Sequence, residues 1–273
     1  MMGRHVRAAV ARFRLVRMLV KSRAIQRIII TRRAARELPL AFLGGELCRQ
    51  RGRYRVRRGV GVVCLRHRSR DIEIFTEVFS RLSYDADLEG PLSVLDVGGN
   101  IGLFGVFALS RWQVRQMRSF EPDPGNAALL AETIAANDNA SWTLERAAVS
   151  NEHSTSSFTA GRFADGFLSR DGDIQVPVLD LFEQRAPDLL KIDIEGGEWP
   201  ILTDPRLATF GAETIVLEWH TRQCPSGDPH WLAQTSLEGA GYVVTVDRPS
   251  EGGHVGLMWA IRERGRPRQS RLR

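Results

Sequence analysis

The segment 94–104, which reads VLDVGGNIGLF, limits what this chain can fold into more than any other part of the sequence. Four mostly apolar residues lead into glycines, and apolar residues then return at helical spacing. This order predicts a buried strand, a tight turn and the first turn of a helix. In an α/β sheet that combination opens a binding site, because the backbone N–H groups at the start of the helix face the ligand.

The spacing of the glycines excludes the usual dinucleotide site. That site requires glycines at relative positions 1, 3 and 6, and counting from Gly98 these places hold Gly98, Asn100 and Leu103. Asp96 also disfavours a phosphate, because two negative charges would face each other. A cationic ligand that carries a nucleoside fits better, and S-adenosylmethionine is such a ligand. Gly98 and Gly102 would let the backbone approach it, and Asn100 would offer an amide.

Two further strand ends complete the predicted cofactor site. Glu121 lies at the end of the second predicted strand, 19 residues after Gly102, where an acid binds the ribose hydroxyls in such folds. A carboxylate suits this role because it accepts hydrogen bonds from both hydroxyls at once. Ala147 lies near the end of the third predicted strand, where small side chains would leave room for an adenine ring.

The fourth predicted strand leads into a run of charged residues. Lys191, Asp193 and Glu195 recur at every second position, so their side chains should project to one side where the strand ends. Charged groups this close share hydrogen bonds or shift their pKa values, which is typical of active sites and also of structural ion-pair networks. His220 ends the fifth predicted strand, where it could contact a substrate. We predict these four residues as catalytic.

The charge of the chain is unevenly distributed. The 273 residues carry a net charge of +6, but residues 1–70 hold 20 Lys or Arg and only two acids, a net charge of +18. The remaining 203 residues therefore carry a net charge of −12. An acidic body argues against nucleic acid as its partner. For the basic arm, a helix packed on the domain, a contact with a membrane surface or an anionic polymer, and a flexible arm all stay open.

From residue 92 onward predicted strands and helices alternate, which indicates a mainly parallel sheet covered on both faces. Seven strands are predicted, at 92–97, 116–121, 142–149, 188–194, 214–219, 241–246 and 256–262. The helices between them are predicted at 101–111, 125–137, 197–203 and 229–239. No helix fits between the last two strands, so the final strand should run antiparallel. Residues 154–178 should form a strand-and-loop insertion on the ligand side of the sheet.

The region before the sheet should be helical, with one hairpin. The sequence predicts a helix at 5–35, a small hairpin at 54–65 and a helix that Asp71 caps. The three cysteines are scattered, and the chain shows neither a signal-peptide core nor an apolar run long enough to cross a membrane. These features predict a cytoplasmic protein, with contact to a membrane surface through the basic arm as a further possibility.

Three motifs together resemble the FkbM family of S-adenosylmethionine-dependent methyltransferases. They are VLDVGGNIG at 94–102, FEPDP at 120–124 and LKIDIEGGE at 190–198, with support from AAVS at 147–150 and LEWH at 217–220. The resemblance implies a Rossmann-like class I methyltransferase fold and methylation of a hydroxyl, often on a sugar or a secondary metabolite. It assigns cofactor-binding positions to Asp96, Gly98, Asn100, Gly102 and Glu121. It places four further residues in the family signature, namely Lys191, Asp193, Glu195 and Glu198.

The resulting division of the chain has three parts: a basic N-terminal helical extension with a small hairpin (1–69), a methyltransferase domain (70–262) and a basic C-terminal tail (263–273). The expected reaction is attack of an acceptor hydroxyl on the sulfonium methyl group. A neutral alcohol needs a base within hydrogen-bond reach, and we predict Asp193 or His220, with Lys191 holding the acids in position.

Several alternatives stay open from the sequence. No metal is predicted, although a divalent ion between Asp193 and Glu218 is conceivable. An RNA-directed methyltransferase that uses the basic arm, and a cofactor-binding module without activity, are the two rival functions.

Overall fold

The computed structural model describes residues 23–39, 41–48, 51–57, 61–160, 166–168, 171–250 and 252–263. The helices are α1 (Arg23–Glu37), α2 (Ala41–Cys48), α3 (Asp71–Phe75), α4 (Leu103–Arg111), α5 (Pro124–Asn137), α6 (Trp199–Leu202), α7 (Leu207–Phe210) and α8 (Pro229–Gly239). A π-helical turn, Thr76–Ser80, continues α3. The strands are β1 (Arg51–Arg55), β2 (Val62–Arg66), β3 (Leu92–Val97), β4 (Val114–Phe120), β5 (Trp142–Glu145), β6 (Ala148–Ser150), β7 (Ser154–Thr159), β8 (Phe167–Leu168), β9 (Ile174–Asp180), β10 (Leu189–Ile192), β11 (Thr214–His220), β12 (Tyr242–Pro249) and β13 (Val255–Arg262).

Seven strands form the main sheet, in the order β12-β13-β11-β10-β3-β4-β5. The five strands from β11 to β5 in that order pair in parallel, whereas β13 runs antiparallel to both of its neighbours, β11 and β12. This confirms the predicted α/β class with an antiparallel final strand. The cause is local: only a short turn-rich segment separates β12 from β13, so the chain reverses instead of crossing over through a helix.

Neighbouring residues of β3 show that both faces of the sheet are covered. Val94 belongs to a core that includes aromatic residues of α3 and α4, whereas Leu95 belongs to a second core with residues of α6 and α8. Since successive side chains of a strand point to opposite faces, one strand supplies both cores. Residues of the N-terminal extension, such as Phe42 and Val63, join the first core. The extension therefore packs directly on the domain that contains the main sheet, and its exact boundary at residue 70 stays a prediction.

The predicted third strand, 142–149, is wrong in one respect, because the chain there divides between two sheets. β5 ends at Glu145 in the main sheet, and β6 begins at Ala148 in a four-stranded sheet of order β6-β9-β7-β8. The alternation of apolar and polar side chains does not show where a chain leaves one sheet and pairs with strands of another. The predicted strand-and-loop insertion at 154–178 supplies most of the remaining strands of this second sheet.

The N-terminal helix and hairpin are both present. α1 confirms the later part of the predicted helix at 5–35, and residues 1–22 lie outside the described residues. β1 and β2 pair antiparallel, with Tyr54 opposite Val63, which confirms the hairpin. The predicted C-terminal tail also lies outside the described residues, apart from position 263. Within the part of the chain that is described, no helix has the length and apolar character needed to cross a membrane.

The predicted cap at Asp71 is wrong. Asp71 is the first residue of α3, it is fully buried, and it makes no capping hydrogen bond to the helix. Its carboxylate instead accepts from the backbone N–H of Arg66 at 2.8 Å and from the guanidinium of the same residue at 2.8 Å. A charged donor satisfies a buried carboxylate better than helix N–H groups do, so the ion pair prevails.

Candidate functional site

Two pockets meet at the carboxyl edge of the main sheet. One, which we call the Glu121 pocket, has an empty volume of about 650 Å³ counted to its open mouth. The other, the Tyr84 pocket, has about 750 Å³ by the same measure. Four residues line both pockets and so form their junction: Gly98, Asn100, Asp193 and Glu195.

The turn after β3 needs its glycines for two different reasons. Gly98 has a φ of 88°, and a Cβ at this position would lie 1.8 Å from the backbone oxygen of Asp193. Only glycine permits this approach between the ends of β3 and β10. Gly102 also has a φ of 88° and stands at the N-cap of α4, where the turn becomes a helix. The predicted turn is therefore present, with Gly98 in the lining of both pockets.

Glu121 lies at the end of β4, as predicted, in the wall of the pocket named after it. Its carboxylate accepts hydrogen bonds from the backbone N–H groups of Asn100, at 2.7 Å, and of Asp123, at 2.8 Å. Burial raises the pKa of Glu121 to about 7, although these two donors act in the opposite direction. Each carboxylate oxygen keeps a lone pair for a further donor, which is the arrangement that two neighbouring hydroxyls require.

Beyond this carboxylate, the wall of the Glu121 pocket is largely apolar. Its lining includes Phe120, Pro122, Ala148, Val149, Phe158 and Phe167. Ala147, the predicted neighbour of an adenine, is 1% exposed, and the pocket is lined by the two residues that follow it. Phe158 and Phe167 come from the second sheet, a region in which the sequence indicated no individual site residue. Such apolar and aromatic side chains can enclose a planar base.

Asp96 lines neither pocket and acts on the site through Lys191. Its fully buried carboxylate accepts from the Ser119 hydroxyl at 2.7 Å and lies 3.2 Å from Nζ of Lys191. The same Nζ donates to the backbone oxygen of Gly98 at 2.5 Å and lies 3.6 Å from the carboxylate of Asp193. Burial opposes a charged lysine, but the two carboxylates outweigh it and raise the pKa of Lys191. Lys191 therefore joins the turn to the acidic cluster.

Behind the acidic cluster, His220 is held by Glu198. The fully buried Glu198 accepts from the backbone N–H groups of His220, at 2.6 Å, and Gly196, at 2.9 Å. One imidazole nitrogen, Nδ1, lies 3.4 Å from Glu198, and Nε2 lies 3.6 Å from Glu195 and 3.9 Å from Glu218. Burial opposes the charged imidazole, but Glu198 first, and then Asp193 and Glu195, raise the pKa of His220 to about 9. His220 lines neither pocket and contacts them through its acidic neighbours.

Tyr84 is a site residue that was not predicted, and Glu218 was named only as a conceivable metal ligand. The Tyr84 hydroxyl is within hydrogen-bond distance of Asp193, at 3.5 Å, and Glu218, at 3.4 Å. Burial, and then the charges of these two acids, raise the pKa of Tyr84 well above its ordinary value. Burial, followed by Asp193, also raises the pKa of Glu218. Glu218 lies two residues before His220 on the same face of one strand, whereas no pattern marks Tyr84 in its loop.

Within the described residues, one group of side chains has the spacing of a metal site. Asp193, Glu195 and His220 each offer one ligand atom, and these atoms lie within 4.8 Å of one another. Carboxylate oxygens and imidazole nitrogens are common ligands of divalent cations. The same groups also have neighbours of opposite charge, since Lys191 lies 3.6 Å from Asp193 and His220 lies 3.6 Å from Glu195. The absence of a metal from the reaction stays a prediction.

Comparison with known proteins identifies the family. A family model described as the methyltransferase FkbM domain matches residues 96–244, more than half of the chain. No curated protein matches the sequence. A precorrin-6y C5,15-methyltransferase from Geobacter metallireducens is similar in structure, with 17% identity and a TM-score of 0.42, over 70% of this chain and 89% of that one. A magnesium protoporphyrin IX methyltransferase from Synechocystis PCC 6803, with bound SAM, shows 11% identity and a TM-score of 0.43, over 70% of this chain and 79% of that one. By the family match, the chain belongs to the FkbM family of S-adenosylmethionine-dependent methyltransferases, as its motifs predicted.

Proposed function

We propose that the protein transfers the methyl group of S-adenosylmethionine to a hydroxyl oxygen of a sugar, a glycan or a secondary metabolite. The position of Asp193 carries this proposal, because this carboxylate lines both pockets at the point where they meet. A group at this junction contacts a methyl donor in one pocket and an acceptor hydroxyl in the other. Transfer to oxygen requires a proton acceptor at that place.

The Glu121 pocket suits this cofactor group by group. Glu121 offers acceptors for the ribose hydroxyls, and the apolar wall offers a surface for the base. Oδ1 of Asn100 is buried and has no hydrogen-bond partner among the described residues, so it can accept from an ammonium group. The neighbouring carboxylates, Asp193 and Glu195, favour a ligand that carries positive charge. When bound, S-adenosylmethionine supplies a methyl group that its positively charged sulfur has already activated.

Asp193 is the base in this proposal. It accepts the proton of the acceptor hydroxyl while the bond from oxygen to the methyl carbon forms and the carbon–sulfur bond breaks. Lys191 and Tyr84 hold its carboxylate in place. His220 has a positioning role instead, because its ring nitrogens face Glu198 and Glu195 and it lines neither pocket. Alignment of the two reacting groups by the junction supplies a large part of the barrier reduction.

The charge of the Tyr84 pocket favours a small acceptor over RNA. Its lining contains two cations and four carboxylates, namely Arg70, Lys191, Glu77, Asp193, Glu195 and Glu218. An excess of negative charge in the acceptor pocket repels a polyanionic backbone. The RNA-directed alternative would therefore have to rely on the basic arm alone.

We also propose that the protein acts in the cytoplasm. Cys64 and Cys224, two of its three cysteines, are free thiols in the described part of the chain. Free thiols are typical of proteins in a reducing compartment. The argument from the free thiols for a cytoplasmic location does not depend on which reaction is catalysed or on which acceptor is used.

The test follows a labelled methyl group from S-adenosylmethionine into separate fractions of glycans, small metabolites and RNA. We expect label in a hydroxyl-bearing glycan or metabolite. Asp193→Asn should lower the rate of transfer about 100-fold or more, while calorimetry finds little change in affinity for S-adenosylhomocysteine. Asp173→Asn, at an exposed position, is the matched control.

Each contrary result has a separate meaning. Label found only in RNA would overturn the proposed acceptor class. An unchanged rate in Asp193→Asn would remove this residue from the role of base. Binding of the cofactor without transfer to any fraction would instead support the module without activity.

A further inference from the structure

The two N-terminal helices carry an exposed apolar surface. Eight large apolar side chains are exposed among the described residues, and four of them belong to α1 and α2. These four are Ile28, Ile29, Leu43 and Leu47, with exposed fractions of 54%, 39%, 37% and 76%. The core-facing side of α1 is separate from them, since Ala34 is fully buried. A helix that only packed on the domain would not need apolar residues on its outer side, and their concentration on two helices indicates a binding surface.

Exposed positive charge accompanies this apolar surface. Arg32, Arg33 and Arg36 of α1 are exposed, and within the described residues none of them forms an ion pair. Arg27, in contrast, forms an ion pair with Glu46 of α2 at 2.9 Å and so ties the two helices together. The three free arginines are therefore available to a partner that carries negative charge.

The distribution of charge along the chain would orient the molecule at an anionic surface. The N-terminal 70 residues carry a net charge of +18, whereas the other 203 residues carry a net charge of −12. A molecule with this asymmetry turns its basic end toward an anionic surface and its acidic body away from it. The interface of an anionic membrane offers both a region for apolar side chains and negative charge for arginines.

The same surface lies beside the Tyr84 pocket. Ile29 and Arg33 of α1 line a groove together with Glu77 and Arg81. Glu77 also belongs to the lining of the Tyr84 pocket. A partner bound along α1 is therefore close to the mouth through which an acceptor enters.

We propose that the α1–α2 surface, made of Ile28, Ile29, Arg32, Arg33, Arg36, Leu43 and Leu47, binds an anionic lipid membrane. The apolar side chains enter the headgroup region, and the arginines pair with the negative charges of the lipids. This binding does not depend on the proposed methyl transfer. It places the Tyr84 pocket at the lipid surface, where acceptors carried on lipids can reach it.

Flotation of the full chain with lipid vesicles tests the proposal. We expect the protein to float with vesicles of phosphatidylcholine and phosphatidylserine, and to remain in the bottom fraction when the vesicles contain phosphatidylcholine alone. Added salt should release the protein from the anionic vesicles. The triple variant Arg32→Gln, Arg33→Gln, Arg36→Gln should lower partition on the order of 100-fold, since each basic residue near the surface contributes about fivefold. The double variant Ile28→Gln, Leu47→Gln should also lower it.

Control variants separate this surface from other causes of binding. Val243→Gln and Ile261→Gln remove exposed apolar side chains of β12 and β13, at 48% and 46% exposure, and should leave flotation unchanged. Thermal unfolding of each variant checks that it is folded. A chain without residues 1–22 should still float, more weakly, and lose flotation in the triple variant.

Three results would overturn the proposal. One is failure of the full chain to bind the anionic vesicles. Another is binding that disappears with residues 1–22 and is unaffected by the α1–α2 variants, which would assign it to that segment alone. The last is concentration-dependent self-association that Ile28→Gln, Leu47→Gln abolishes without any vesicle binding, because the surface would then join two copies of this chain.

Discussion

The guanidinium of Arg66 donates to the side-chain oxygen of Asn126 at 2.9 Å and forms an ion pair with the buried Asp71 at 2.8 Å. Arg66 ends β2 of the N-terminal hairpin, whereas Asn126 belongs to α5 and lines the Glu121 pocket. An Asn side chain has an acceptor oxygen and two N–H donors. Because Arg66 occupies the oxygen, the donors are left for the pocket. The N-terminal hairpin thus orients a polar group of the Glu121 pocket.

Asn126→Asp tests this relationship. The carboxylate keeps an acceptor for Arg66 but offers no donor to the cofactor, so we expect the affinity for S-adenosylhomocysteine to fall about tenfold. Calorimetry measures this without an acceptor. Asn139→Asp, in the turn before β5, is the matched control. If Asn126→Asp binds S-adenosylhomocysteine as tightly as the wild type does, the amide of Asn126 does not donate a hydrogen bond to the ligand.

The raised pKa of Glu121 predicts how the stability of the cofactor-free protein depends on pH. The pKa of this carboxyl rises from 4.5 to about 7 on folding, so between these values the folded state holds more protons than the unfolded state. The contribution of Glu121 therefore makes the free energy of unfolding decrease as the pH rises through this window. A shift of this size corresponds to about 3 kcal/mol.

Glu121→Gln should remove that dependence. Relative to the wild type, the free energy of unfolding of the variant should increase by about 3 kcal/mol between about pH 4 and pH 8. Denaturant titrations at both pH values measure the difference. The variant should also bind S-adenosylhomocysteine more weakly at the higher pH, because it no longer offers two carboxylate oxygens to the ribose. A difference in stability that is the same at both pH values would contradict the raised pKa.

The site residues that the sequence predicted are those whose positions follow from local spacing along the chain. The glycine pattern located the turn, and the carboxyl ends of parallel strands brought Glu121, Asp193 and Glu195 to one edge of the sheet. The residues that were missed depend on contacts between distant segments. Tyr84 lies 109 positions from Asp193, and Arg66 lies 60 positions from Asn126. Periodicity describes one element at a time, so it contains no information about such contacts.

Asp96 shows a second limit of the pattern. An acid at the end of β3 was expected beside the ligand, but sheet register places Asp96 opposite Lys191 of β10 and Ser119 of β4. Its carboxylate accepts a hydrogen bond from Ser119 and forms an ion pair with Lys191 inside the sheet. The sequence therefore indicated that Asp96 belongs to the site, but it did not indicate that its carboxylate contacts Lys191. The same register explains why Lys191 connects Asp96 to the pockets.

Lys191→Met should lower the free energy of unfolding by about 3–5 kcal/mol, because it leaves the carboxylate of Asp96 buried without a cation. Denaturant titration measures the loss. Asp96→Asn in the same chain should restore much of it, since the uncompensated charge is then gone. Arg115→Met is the control: Arg115 pairs with Asp188 at the surface, where ion pairs contribute about 1 kcal/mol or less. A double variant as unstable as Lys191→Met would mean that contacts other than Asp96 dominate.

Methyl transfer should survive the removal of divalent cations. Asp193 lies 3.6 Å from Nζ of Lys191, and Glu195 lies 3.6 Å from Nε2 of His220, so both carboxylates already face a side chain of opposite charge. A metal ion held by Asp193, Glu195 and His220 would have to compete with these pairs. The measurement is the rate of labelled methyl transfer before and after treatment with a chelator. Loss of activity that Mg²⁺ or Mn²⁺ restores in the wild type, but not in Glu195→Gln, would establish a metal site at the acidic cluster. The acceptor hydroxyl would then be activated by the metal together with Asp193.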